Sequence, residues 1–117
     1  MGRKLKNNDG FPASPLLRER IGNSLTGVLT AVREAKTQFG TKPVYAVKLI
    51  DADCDFTKDG LPYEPAEGEV IEMMPPTVLA RHLAQVNIGE TFKTVYKGLG
   101  KKSKKGNPPH MYDTEVL

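Results

Sequence analysis

Several stretches of the chain carry apolar residues at a spacing that selects an element. Leu25-Thr26-Gly27-Val28-Leu29-Thr30-Ala31-Val32 is β-branched and loosely alternating, with no helix caps, and predicts a long strand running to about Arg33. Gly27 inside it predicts a bulge or sharp bend. Lys36 to Pro43 reads as a turn, and Val44-Tyr45-Ala46-Val47-Lys48-Leu49-Ile50 as a second strand, so the two form a hairpin. Glu69 to Met74 is a third strand. Pro75-Pro76 then blocks strand pairing and opens a helix. In it Leu79, Leu83 and Val86 fall at i, i+4 and i+7 on one stripe, and Asn87-Ile88-Gly89 ends it. Glu90 to Lys97 is a fourth strand with Phe92, Thr94 and Tyr96 on one face, and His110 to Leu117 is the last.

The remaining segments lack such periods. Residues 1–15 carry Asn7-Asn8-Asp9-Gly10, Pro12 and Pro15, and read as a flexible arm. One helical turn over Leu16–Ile21 follows, stopped by Gly22. Residues 51–68 read as a long acidic loop, and no internal repeat is present.

Three strands, one helix and two further strands describe an all-β protein with one short helix. The order β-β-β-α-β-β is that of a five-stranded OB-fold barrel. The expected division is a basic arm over residues 1–24 and an OB-fold domain over 25–117, which leaves no room for a separate catalytic domain. Such barrels bind ligands on the face of strands 2–3 and through the loops joining strands 1–2 and 4–5.

Charge sharpens this picture. The 117 residues carry 17 Lys+Arg and 14 Asp+Glu, a net +3. Residues 1–48 hold nine basic and three acidic side chains (+6), residues 49–90 two and nine (−7), and residues 91–117 six and two (+4). The two expected ligand loops fall in the basic thirds, and the acidic loop lies elsewhere, which suggests a polyanion partner. The single cysteine, Cys54, excludes an internal disulfide framework and fits a reducing compartment. No apolar run reaches the roughly 18 residues of a membrane span, and no apolar stretch follows the charged N-terminus as a secretory signal requires.

The ordered set Thr26-Gly27-Val28, Lys42-Pro43-Val44-Tyr45, Pro76-Thr77-Val78-Leu79 with Leu83, Ile88-Gly89-Glu90-Thr91-Phe92 to Tyr96-Lys97-Gly98, and Lys104-Lys105-Gly106 before a tyrosine strand resembles small phage-type OB-fold single-stranded DNA-binding proteins over residues 25–117. The resemblance implies sequence-tolerant, non-enzymatic binding of single-stranded DNA in phage replication or recombination. It also implies the cytoplasm of an infected or lysogenic bacterium, and replication or recombination proteins and further copies of the chain as partners. One departure is the absence of the long acidic tail by which bacterial single-strand binding proteins recruit partners.

Single-strand binding needs cations along the backbone and rings on which bases stack. With no tryptophan, Phe39 in its polar turn is the leading ring, followed by Tyr45 near a strand end and Tyr112 after the basic loop; Tyr96 shares a face with Phe92 and suits the core. The candidate phosphate contacts are Arg33, Lys36, Lys42, Lys48, Lys101, Lys102, Lys104 and Lys105, with Lys93 and Lys97 as extensions.

No cofactor or metal is expected. A calcium loop starting at Asp51 has Phe56 and Pro62 at its glycine and glutamate positions, and one starting at Asp55 fits Gly60 but ends on Ala66. His82, His110 and Cys54 make no metal spacing, and Cys54 between two aspartates is a poor nucleophile. A protein-binding OB module using the acidic loop, as a phage inhibitor or adaptor, and an RNA-binding module are the alternatives.

Overall fold

Leu25, Gly27 and Leu29 all turn inward on β2 (Ser24–Thr37), as their alternation requires. The computed structural model describes residues 12–101 and 106–117. β2 pairs antiparallel with β3 (Gly40–Asp53) along its whole length, and with β7 (Thr91–Leu99) through Ser24–Val28. The register between β2 and β3 shifts at Thr26/Gly27 and again at Leu29/Ala31, so the expected bulge is present. A Cβ on Gly27 would overlap the Val47 side chain and sit 2.7 Å from the Lys48 carbonyl oxygen. Only glycine permits this close approach of the two backbones.

β6 (Val70–Met73) extends the sheet beyond β3, and β8 (His110–Val116) extends it beyond β7, giving the order β6-β3-β2-β7-β8. Among the described residues no strand pairing joins β6 to β8. The helix α1 (Thr77–Leu83) sits between β6 and β7 in sequence and packs on β8. It is shorter than its apolar stripe, because tight turns carry the chain from His82 through Val86, yet Leu79, Leu83 and Val86 are all buried. The buried Thr94 hydroxyl meets Thr114 Oγ1 at 2.9 Å, and Thr114 Oγ1 meets His82 Nδ1 at 2.8 Å. This chain ties β7, β8 and α1 together with its polar atoms satisfied. The core gathers Leu25, Leu29, Val47, Ile71, Leu79, Leu83 and Phe92. No helix among the described residues is long and apolar enough to cross a membrane.

Several expectations change. The protein is mostly β, but among the described residues it has eight strands in two antiparallel sheets rather than five strands in one. The acidic stretch is folded: β4 (Phe56–Lys58) and β5 (Leu61–Tyr63) form a hairpin, which β1 (Ser14–Pro15) joins as the small sheet β1-β4-β5. Asp59 (φ 55°) and Gly60 (φ 78°) supply the two left-handed residues of its tight turn.

Residues 13–23, expected within the arm, also belong to the fold. Ala13 and Leu17 lie in the core. The Asn23 amide donates to the Leu16 and Leu17 carbonyls, and the Tyr96 backbone N–H donates to the Asn23 carbonyl at 2.8 Å. A short 3-10 turn, Leu17–Glu19, stands where one helical turn was expected.

Candidate nucleic-acid interface

β2 pairs with β7 only up to Val28, and β3 pairs with β6 only over Tyr45–Lys48. From Arg33 to Val44 the hairpin therefore has no third strand among the described residues and stands away as a two-stranded ribbon. Such a ribbon is marginal alone and depends on the sheet at its base. Its tip is the turn Gln38-Phe39. Thr37 Oγ1 accepts from the Phe39 backbone N–H at 3.1 Å and donates to the Gly40 carbonyl at 2.7 Å, while Gly40 takes φ 105°. This turn holds the Phe39 ring outward, 78 % exposed.

Cross-strand register sorts the basic side chains by face. Lys42 pairs with Ala35, Arg33 with Val44 and Lys48 with Val28, which puts Arg33, Lys42 and Lys48 on the outer face of the hairpin. Lys36 pairs with Thr41 on the other face, the one that carries Tyr45 at the ribbon's base. The candidate phosphate contacts of the hairpin are thus divided over two faces, with Phe39 at the shared tip. Lys36, Lys42 and Lys48 are exposed. Arg33 is also exposed but held by Glu72, with Nη2 2.7 Å from Oε1 and Nε 3.3 Å from Oε2. The hydrogen bond and the carboxylate charge raise the guanidinium pKa further. Glu72 is the partner that sequence reasoning missed.

The tyrosines depart from expectation. Tyr45 is 5 % and Tyr112 4 % exposed, so neither offers a ring face for stacking. Tyr45 turns inward opposite Met73, on the same strand face as Val47 and Leu49. The Tyr112 ring lies against Tyr96, with centroids 5.3 Å apart and planes at 52°. Tyr96 is buried, as its shared face with Phe92 implied.

Lys101 is exposed at the start of the second basic loop, which the Gly100 N–H to Pro109 carbonyl hydrogen bond closes at its base. Lys102, Lys104 and Lys105 lie outside the described residues.

The acidic side chains of residues 51–67 gather at the opposite end of the same hairpin. A cleft of about 1080 Å³ there is lined by Asp51, Asp55, Glu64 and Glu67, with Cys54 at its wall. Lys42 and Asp53 are eleven residues apart on β3, up to about 36 Å at a strand rise of about 3.3 Å per residue. That distance is several Debye lengths at physiological salt, so the acidic end leaves the field at the basic tip largely intact. Burial pushes the Cys54 thiol up to about 12, with Asp55 and Asp53 adding to the effect, which suits a structural rather than a nucleophilic role. Among the described residues no group of three or more His, Cys, Asp or Glu side chains is placed to hold a metal ion.

Comparison of the chain with protein-family models, with curated proteins and with solved structures finds no match.

Proposed function

We propose that this protein binds single-stranded DNA with little base preference and without chemistry, in replication or recombination of phage type. In this reading the five-stranded sheet is an OB-type barrel left open between β6 and β8. One observation carries it: an aromatic ring, 78 % exposed, sits at the tip of a projecting ribbon with lysines on both faces. A large apolar ring held in water by its own turn contributes nothing to folding, whereas stacking on a base contributes about 1–3 kcal/mol. Lys36, Lys42 and Lys101 supply the phosphate contacts, and the distant carboxylates discourage binding at the wrong end.

The ribbon also favours a second reading. A two-stranded β-ribbon fits the major groove of duplex DNA, so groove insertion competes with strand capture.

Titration of a fluorescent oligo-dT of about 30 nucleotides at several salt concentrations tests the proposal. Tight binding at low salt is expected, with a log–log salt slope near −4 if about six phosphates are neutralised. No binding at low salt overturns the reading and points to a protein-binding module. Preference for a matched duplex moves it to groove insertion, and equal affinity for matched RNA broadens it to single strands of either sugar.

A further inference from the structure

A groove of about 790 Å³ opens between the 14–19 segment, the connection from β6 to α1, and the first residues of β8. Its size is that of a small-molecule site. Its lining is two-sided. One side is apolar, with Met74, Pro75, Pro76 and Leu79; the other carries the polar groups of Arg18, His110 and Tyr112.

Among the described residues the polar side is largely unspent. Tyr112 is 4 % exposed, and its hydroxyl has no hydrogen-bond partner among the described residues. It is not a sealed atom, since Asn23 Oδ1 is the one sealed side-chain polar atom without a partner among those residues. The Tyr112 hydroxyl therefore reaches solvent while its ring stays packed. Burial pushes that phenol up to about 12, and the charge of Arg18, on the same groove, opposes the shift. His110 uses Nδ1 with the Tyr96 hydroxyl at 2.8 Å, and Nε2 has no partner among the described residues. Arg18 makes no ion pair among them, whereas Arg20 pairs with Asp53 at 3.5 Å. Glu19, at the same groove, is its single carboxylate among the described residues.

A guanidinium, a protonated phenol and an imidazole beside a wall of thioether and proline rings match a group that is anionic at one end and flat and apolar at the other. The groove also has the right neighbours. Met73, on its lining, pairs with Tyr45 at the base of the ribbon, and His110 ends the loop that Lys101 begins.

We propose that this groove takes one nucleotide of a bound single strand, its phosphate at Arg18 and the Tyr112 hydroxyl and its base against Met74, Pro75 and Pro76. The inference rests on the single-strand reading and adds a fixed anchor to an otherwise sequence-tolerant surface.

Oligo-dT titration of three variants, read by affinity and by NMR of methionine methyl and aromatic ring signals, tests it. Arg18→Ala is expected to weaken binding about tenfold, the scale of one charge-assisted hydrogen bond. Tyr112→Phe, which keeps the packing, is expected to weaken it about threefold with an unchanged unfolding midpoint. Arg20→Ala, outside the groove, controls for charge alone and is expected to have a smaller effect than Arg18→Ala. The Met74 and His110 signals are expected to shift on adding DNA. If the Phe39 ring signals shift and binding is tight, yet Met74 and His110 stay still and Arg18→Ala matches Arg20→Ala, the groove is not a subsite and the single-strand reading stands. If neither Phe39 nor the groove responds and no oligonucleotide binds, the single-strand reading falls and the groove proposal with it.

Discussion

Arg33 and Glu72, 39 residues apart in sequence, are joined by two hydrogen bonds across the outer face of the ribbon's base. The pair withholds a cation from the surface where the phosphate backbone is expected to run. Glu72→Gln removes the carboxylate charge and releases Arg33. The expected outcome is tighter oligo-dT binding at low salt and a salt slope steeper by about 0.7, one further phosphate contact. The unfolding midpoint should hardly move, because an exposed ion pair contributes little to stability. An unchanged slope would show that DNA does not pass over this face.

Phe39→Ala separates binding from folding. The ring is 78 % exposed, so its removal should leave stability within about 0.5 kcal/mol of the parent. Affinity for oligo-dT should fall by the equivalent of about 1–3 kcal/mol, roughly five- to 150-fold. Thermal unfolding and fluorescence titration of the same sample check both halves. A lowered Tm with unaltered affinity would assign the ring to the fold instead.

Gly27→Ala tests the bend. The added methyl would meet the Val47 side chain and sit 2.7 Å from the Lys48 carbonyl oxygen, at the register shift that curves β2. Overpacking at such a point costs about 1–3 kcal/mol. Urea unfolding should show the midpoint falling with little change in slope.

Alkaline pH should loosen the fold through a buried phenol and a half-buried thiol. Burial raises Cys54 from 9.0 and Tyr112 from 10.0, each to about 12. The folded state thus holds these protons more tightly than the unfolded chain. Their contribution is fully present below the unfolded values and is lost as pH rises from about 9 to about 12 for the thiol, and from about 10 to about 12 for the phenol. Urea midpoints measured across that range should fall. Tyr112→Phe should remove the upper part of the decline and Cys54→Ala the lower. A flat profile in the parent protein would contradict the burial of both groups.

Much of the architecture was readable from local pattern. The bulge at Gly27, the inward row Phe92, Thr94 and Tyr96, and the stripe Leu79, Leu83 and Val86 stand where their spacing put them, because a strand or helix period is a property of neighbouring residues. Phe39 was legible for the same reason, since a ring in a short polar turn has nothing beside it to pack on. The β4–β5 hairpin was not read, although Asp59-Gly60 carries its signal. The surrounding carboxylates and prolines give the segment the composition of a loop, and three-residue strands are too short to show a period. The docking of residues 13–23 was equally hidden. Ala13 and Leu17 follow no strand or helix period, and their burial comes from cover supplied by distant strands.

The sequence by itself determined the five longer strands and the helix, which faces of them are apolar, and that positive charge lies at both ends of the chain with negative charge between. These follow from backbone sterics, side-chain alternation and covalent order. Only the tertiary structure decided that Lys36 and Lys42 part to opposite faces, that Tyr112 keeps its ring and shows only its hydroxyl, and that Arg33 is already engaged. Each depends on register, burial or a partner brought in from a distant strand, which a local pattern does not encode.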